Sequence, residues 1–186
     1  MRKDFGPKSW VYPAPVLMIG TYDEANTPNI MNAAWGAVFD YNVITISLSE
    51  HKTTKNIELK HAFTVSFATK STVKESDYFG IESGAKVNKV EKAGFNAFKS
   101  SFVDAPLFKE YPLSLECELI SFNHETGQLL GKIVNVSADE KILTDGNIDV
   151  TKLEAIVFDP FTNSYVIANE KVAQAFKVGM EIKNRK

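Results

Sequence analysis

Side chains suited to bind phosphate are concentrated where a predicted strand runs into a predicted helix. Ser47 and Ser49 share the polar face of the strand. The helix then opens with basic, hydroxyl and amide residues, namely Lys52, Thr53, Thr54, Lys55 and Asn56. A helix N-terminus presents free backbone N–H groups and the positive end of its dipole, so these side chains can hold one phosphate group there. The alternative is a plain helix start, in which a threonine caps the helix and the lysines are solvated.

A second segment places small residues next to a large aromatic ring. It reads Asn29-Ile-Met-Asn-Ala-Ala-Trp35, and its candidate ligand-binding residues are Asn32, Ala33, Ala34 and Trp35. Small side chains let a flat ring approach the backbone, whose N–H and C=O groups can then bind the polar edge of the ring. Ordinary packing within a strand is the alternative explanation of this segment.

Short apolar segments predict that both groups of residues lie on a β-barrel. In residues 43–49, Ile44, Ile46 and Leu48 share one face, and hydroxyl side chains share the other. Further strands are predicted at 16–22, 63–67, 113–119, 129–136, 157–158 and 165–167. Helices are predicted at 51–60, at 87–93 before Gly94, and at 170–178 before Gly179. Many short strands and few helices favour a mainly β antiparallel barrel over a parallel doubly wound sheet.

The composition indicates one globular domain spanning residues 1–186, with 44% apolar and 24% charged residues. A net charge of -2 gives no general attraction to nucleic acid or anionic lipid. Cys117 is the only cysteine, which excludes an intramolecular disulfide and a multi-cysteine zinc site. His51 and His61 have no partners at metal-ligand spacing, so we expect no metal. Because no apolar run approaches the roughly 20 residues that span a bilayer, and no secretory signal is evident, we expect a cytoplasmic protein.

Three segments, taken in order, resemble the flavin reductase-like domain family, and within it the flavoredoxin-type branch. They are Pro13-Ala-Pro-Val16, the run from Asn29 to Trp35, and Lys52-Thr-Thr-Lys-Asn-Ile57. The resemblance is strongest over residues 13–67 and continues more loosely to Asp159-Pro-Phe161 and Tyr165. It implies a Greek-key split β-barrel of the FMN-binding type with short peripheral helices. It also implies a homodimer that binds FMN near the subunit interface.

The resemblance assigns roles to individual residues. Thr53, Thr54 and Lys55 fall where the family contacts the phosphate, with Lys52 and Asn56 adjacent. Asn32, Ala33, Ala34 and Trp35 fall at the edge of the isoalloxazine ring, and Ser47 and Ser49 at the ribityl chain. Lys89 matches a lysine directed toward FMN, and Phe161 lies in a late turn that can cover the flavin. The alternatives are an exposed basic face shared with Lys86 and Lys92, and an aromatic ring packed on the barrel end.

One departure from the family concerns the nicotinamide side of the flavin. Many members carry an Asp-His pair five residues before a glycine, whereas here Asn123-His124 stands seven residues before Gly131. His124 is therefore a weak candidate for that position, and a surface histidine in a turn is the alternative.

The resemblance implies an oxidoreductase that takes electrons from NAD(P)H through FMN to free flavin or a redox protein. An electron carrier or FMN-storage protein without enzymatic activity is the second hypothesis. A barrel that binds another flat ligand, such as pyridoxal phosphate or haem, is the third.

Overall fold

A computed structural model describes residues 1–185, which are mainly β-structure. The strands are β1 (Ala14–Pro15), β2 (Leu17–Tyr22), β3 (Pro28–Ala33), β4 (Gly36–Asp40), β5 (Val43–Ser47), β6 (Ala62–Phe67), β7 (Ala97–Lys99), β8 (Pro106–Phe108), β9 (Leu113–Asn123), β10 (Gln128–Ala138), β11 (Leu143–Thr144), β12 (Asn147–Ile148), β13 (Ile156–Asp159) and β14 (Ser164–Ile167). The helices are α1 (Lys52–Lys60), α2 (Val73–Ile81), α3 (Lys89–Lys92), α4 (Val150–Leu153) and α5 (Met180–Lys183), with 3₁₀ turns at Lys70–Thr72 and Glu140–Ile142.

A curled antiparallel sheet of seven strands forms the half-barrel at the centre of the fold. Its strand order is β3-β2-β6-β9-β10-β5-β4. Apolar side chains from its inner face make the core, which includes Leu17, Ile19, Ile46, Phe63 and Leu129. This architecture confirms the predicted split barrel with short peripheral helices.

Strand β5 shows why the barrel places hydroxyl groups toward the site. Ile44, Ile46 and Leu48 are buried in the core, as the alternating pattern predicts. Ser47 and Ser49 point the other way and are exposed. Since successive side chains of a strand face opposite sides, burial of one set forces the hydroxyl set outward.

A second apolar core lies outside the half-barrel, between the sheet and helices α2 and α3. It contains Val16, Ile30, Phe79, Val90 and Phe108 among its buried residues. Strands β1, β13 and β14 form a small sheet against it. The predicted helix at 87–93 is present in shorter form as α3, and Gly94 behind it adopts the predicted left-handed conformation with a φ of 69°. Helix α2 is absent from the predictions.

The prediction of a closing helix at 170–178 is wrong. Residues 168–179 contain no helix, and the short α5 begins at Met180 with Gly179 as its N-cap. All side chains from Glu170 to Arg185 are exposed. Isolated short helices are marginal in water, because most helical stability in proteins comes from packing an apolar face. This segment packs no face against the rest of the chain, so its sequence pattern does not produce the helix.

Within residues 1–185, no helix combines the length and the apolar character needed to cross a bilayer.

Candidate functional site

Two cavities are lined by successive residues of the same two chain segments, 29–37 and 45–55. The first, called here the polar cavity, is lined by residues of the segments 29–32 and 50–55 and by the end of α2 with its following loop. The second, the apolar cavity, is lined by the segments 34–37 and 45–47, the N-terminal residues 9–15 and the turn around Pro160. Their volumes are about 540 and 670 Å³. Both are within the size range of cofactor sites.

The N-terminus of α1 opens into the polar cavity. Thr53 lines the cavity and is buried, and its Oγ1 accepts a hydrogen bond of 3.0 Å from Asn29 Nδ2. Thr54 is used differently, since its hydroxyl accepts from the backbone N–H of His51 and donates to the carbonyl of the same residue, both at 2.9 Å. His51 is the N-cap of α1, and Thr54 stabilises this helix start from the third helical position, whereas the Thr53 hydroxyl can also donate a hydrogen bond into the cavity.

Lys89 is the most deeply buried cation in the polar cavity, with only 5% of its surface exposed. Its Nζ donates a hydrogen bond of 2.8 Å to the carbonyl of Phe79. That carbonyl belongs to the last turn of α2, where backbone carbonyls lack partners within the helix and the negative end of the helix dipole lies. Burial lowers the pKa of Lys89 to about 8, and the charge of Glu82 opposes this shift. The alternative of an exposed basic face is wrong for Lys89, although Lys86 and Lys92 are exposed.

Cations outnumber carboxylates along the polar cavity. The lining contains three lysines, Lys52, Lys55 and Lys89, and two glutamates, Glu50 and Glu82. The Lys52 ammonium is partly compensated because it also lies 3.1 Å from Asp23 Oδ2. With Asp23 included, the side-chain charges around the cavity balance, and the free N–H groups and positive dipole end at the N-terminus of α1 favour an anionic group here.

His124 lies outside both cavity linings and contacts two carboxylates. Its Nδ1 lies 3.1 Å from Glu50, which precedes α1, and its Nε2 lies 2.9 Å from Glu58 in the last turn of α1, so the ring connects the β9–β10 turn to this helix. Hydrogen bonds to Glu50 and then Glu58 raise the pKa of this exposed imidazole. The arrangement fits the alternative of a surface histidine.

No charged side chain lines the apolar cavity in the described part of the chain. Trp35 is largely exposed beside it, and the Trp35 carbonyl accepts a hydrogen bond of 2.8 Å from the Ser47 backbone N–H. Phe161 packs against aromatic residues of the N-terminal segment, at 5.5 Å from Trp10 and 5.7 Å from Tyr12 between ring centroids. These rings stand next to cavity-lining residues, which is an environment for a flat, uncharged group.

The structure brings together most of the residues predicted from the sequence. The polar cavity contains Asn32, Lys52, Thr53, Lys55 and Lys89. The apolar cavity contains Ala34, Trp35 and Ser47. Outside both linings are Ala33, Ser49, Thr54, Asn56 and Phe161. Ala33 is part of the barrel core, and the Asn56 amide donates to Thr21 Oγ1 within the protein, so each has a packing or structural contact.

Sequence reasoning did not identify Asn29 or the two lining glutamates as site residues. Asn29 stands at the start of a quoted motif, but only its contact with Thr53 reveals its place. Glu50 and Glu82 had no sequence signal, because they come from loops whose path depends on the tertiary structure. Among residues 1–185, no group of three or more histidine, cysteine, aspartate or glutamate side chains is arranged to hold a metal ion.

Comparison with known proteins shows a family match and close structural similarity. The flavin reductase like domain family matches residues 9–153. The flavoredoxin of Desulfovibrio vulgaris (Miyazaki F) is 35% identical, with a TM-score of 0.92 over 96% of this chain and 100% of that chain. The flavoredoxin from Methanosarcina acetivorans is 26% identical, with a TM-score of 0.88 over 98% of this chain and 99% of that chain. An uncharacterised protein of Aquifex aeolicus is 27% identical over 75% of this chain and 76% of its own length.

The lowered pKa of Lys89 predicts a pH-dependent stability. The native chain releases this proton near pH 8, whereas an unfolded chain holds it until about 10.5. The unfolded state therefore binds more protons in that interval, and the free energy of unfolding rises with pH. Relative to Lys89→Met, we expect the wild type to gain about 1–2 kcal/mol across the interval, a value reduced by solvent screening. Urea unfolding without ligand measures this difference. Lys86→Met is the exposed control, and a parallel pH dependence of the wild type and Lys89→Met would contradict the prediction.

Proposed function

Because this chain belongs to the flavin reductase-like domain family, we propose that it binds FMN and moves electrons from NAD(P)H through it to free flavin or a redox protein. The observation that carries the proposal is that the same two segments line a polar cavity at the N-terminus of α1, which contains three lysines, and an apolar cavity without charged lining residues. FMN has the matching parts, since an anionic phosphate and a flat ring system are joined by a short polyol chain. The flavoredoxins of similar structure support the assignment.

The polar cavity supplies suitable donors for the phosphate. Thr53 offers a hydroxyl, Lys52 and Lys55 offer ammonium groups, and the first turn of α1 offers backbone N–H groups. Gly84 packs directly against Asn29, because a Cβ at this position would clash with Asn29 Oδ1. A larger residue would displace the side chain that positions Thr53. The donor set therefore fits a phosphomonoester.

The apolar cavity is suited to the ring system. Ala34 leaves the backbone accessible, and Trp35 provides an aromatic surface beside it. Ser47 at the end of β5 and Ser49 in the loop before α1 are exposed between the residues of this segment that line the two cavities, where a polyol chain can bind. Phe161 packs with Trp10 and Tyr12 next to residues that line this cavity, and all three rings are exposed and thus available to contact a flat ligand.

When bound, FMN supplies the redox chemistry, by accepting a hydride and passing the electrons on. The chain's own residues then need only bind, orient and balance charge. A buried ammonium at Lys89 favours a ligand that carries or gains negative charge. Cys117 is not available as a nucleophile, because burial raises its pKa to about 12.

The position of His124 favours a second candidate function. The imidazole is held by Glu50 and Glu58 and does not line either cavity, so no histidine of the β9–β10 turn is presented to a nicotinamide. An FMN-containing electron carrier, or an FMN-storage protein, requires no such residue. The two functions differ in whether a pyridine nucleotide reduces the flavin.

The visible spectrum of the purified protein tests the proposal directly. We expect bands near about 370 and 450 nm from bound FMN, and bleaching of the longer-wavelength band when NADH or NADPH is added without oxygen. Reduction only by a partner redox protein would select the carrier function. A Soret band or a pyridoxal phosphate spectrum would instead replace FMN by another flat ligand.

The proposed phosphate site predicts a different effect for two adjacent threonines. Thr53→Val removes a hydroxyl of the polar cavity, so we expect the dissociation constant for FMN to rise roughly tenfold and that for riboflavin to change little. Thr53→Ser keeps the hydroxyl and should bind like the wild type. Thr54→Val removes the hydroxyl that stabilises the start of α1 and should lower thermal stability without changing the ratio of the two constants. Equal losses for FMN and riboflavin in Thr53→Val would contradict the assignment.

We also propose a homodimer, because β4 exposes apolar residues at the edge of the main sheet. Val38 and Phe39 of β4 are 78% and 58% exposed, and Tyr41 in the following turn is 97% exposed. The C-terminal segment also has exposed apolar side chains, including Phe176 and Ile182. Exposed large apolar side chains at a sheet edge are typical of protein interfaces.

Val38→Asp should therefore shift the chain from dimer to monomer in light scattering. The aspartate places a charge within the apolar face, where the partner would have to desolvate it. Val38 is exposed in the single chain, so the melting temperature of the monomer should stay nearly unchanged. Lys74→Asp, on the exposed side of α2, is the control for added acidic charge. A monomeric wild type would exclude the proposed dimer.

A further inference from the structure

We infer that residues 1–13, called here the N-terminal strap, are a movable wall of the apolar cavity that closes against the turn carrying Phe161 and opens to admit the flat ring of the ligand. The strap lines the cavity through Ser9, Val11 and Pro13. Residues of β4, β5 and β13 contribute to the rest of the lining. The inference rests on the proposed flavin-binding function and goes beyond it, because it concerns how the ring enters and leaves.

The strap is anchored to the fold at one end only. It ends where Ala14 begins β1, which pairs with β13 at Phe158. All residues of the strap are exposed, and none belongs to a helix or strand. Within residues 1–185, its one backbone hydrogen bond runs from the Val11 N–H to the Ser9 carbonyl at 3.1 Å, and no ion pair involves it. A segment without backbone hydrogen bonds to the barrel can open while the barrel stays folded.

The turn that faces the strap is held in place by its own hydrogen bonds. The Asp159 carboxylate accepts from the Phe161 backbone N–H at 2.8 Å and from the Thr162 hydroxyl at 2.6 Å. Strands β13 and β14 on either side of the turn pair with each other. The backbone at Phe161 is therefore fixed beside the cavity, whereas the strap is not.

Two aromatic contacts join the strap to this turn. Trp10 meets Phe161 edge-on, with ring centroids 5.5 Å apart, and Tyr12 lies 5.7 Å from the same ring. These two residues alternate along the chain with the lining residues Ser9, Val11 and Pro13. The same stretch therefore bounds the cavity and contacts the turn. Pairs of partly exposed rings contribute modestly to stability, so loss of one ring is enough to release the strap.

A movable wall has a kinetic signature that a fixed wall lacks. While the strap is closed, the ring cannot enter, so the association rate constant is reduced to the fraction of molecules that are open. A closed strap also retains a bound ring and slows its dissociation. A side chain that only contacts the bound ring slows dissociation without slowing association.

The test measures both rate constants for FMN with the full-length protein. Stopped-flow mixing gives association, and capture of released FMN by excess apoflavodoxin gives dissociation. We expect Trp10→Ala to raise both rate constants roughly fivefold and to change the dissociation constant less than about twofold. Trp10→Phe keeps a ring against Phe161 and should behave like the wild type. Phe161→Ala should reproduce the effect of Trp10→Ala, and the double variant should be no faster than either single variant.

Phe102→Ala is the matched control, because Phe102 is an exposed aromatic residue that lines neither cavity. It should leave both rate constants unchanged. Faster dissociation with unchanged association in Trp10→Ala would show that Trp10 only contacts the bound ring, and would overturn the inference while leaving FMN binding intact. Unchanged rate constants in both Trp10→Ala and Phe161→Ala would overturn it as well. A wild type that binds no FMN would overturn the proposed function and this inference together.

Discussion

A buried hydrogen bond from Asn29 Nδ2 to Thr53 Oγ1 joins the two segments at the polar cavity. It spans 3.0 Å between β3 and the first turn of α1, and both side chains are buried. Loss of either partner leaves a polar group without compensation, which costs about 1–3 kcal/mol. The bond between Asn56 and Thr21 repeats this arrangement one turn further along the helix. The position of the α1 N-terminus, and hence the shape of the polar cavity, depends on these contacts.

Burial of the Lys89 ammonium shows that the fold tolerates the unfavourable desolvation of a charged group at the site. An ammonium group removed from water is unfavourable unless it is paired, and here the unpaired carbonyl of Phe79 at the end of α2 provides the partner. The same contact stabilises the helix end, which would otherwise leave that acceptor without a donor. Lys89 can therefore be retained in the absence of ligand. The Lys89 ammonium has further N–H donors, so its hydrogen bond to the Phe79 carbonyl does not prevent a contact with a ligand.

The sequence predicted the barrel well and the peripheral structure less well. Alternation in β5 fixes which side chains enter the core, so Ile44 and Ser47 lie on the predicted sides. Helix α2 was missed because it packs through few apolar residues between polar ones, and the helix at 170–178 was wrong because nothing in the chain buries its face. Within the site, the neighbouring residues Thr53 and Thr54 cannot be told apart by residue type. Only the backbone geometry at His51 assigns Thr54 to the helix start and leaves Thr53 at the cavity.

The separation of charge along the site limits which ligands fit. The cations lie in the polar cavity, and the apolar cavity has no charged lining among the residues described. A ligand with one anionic end and one flat, neutral end satisfies both halves, whereas a second phosphate in the apolar cavity would lose its hydration without gaining a cation. A dinucleotide can therefore present its nicotinamide ring to this cavity only if its phosphates remain in solvent or contact a second chain.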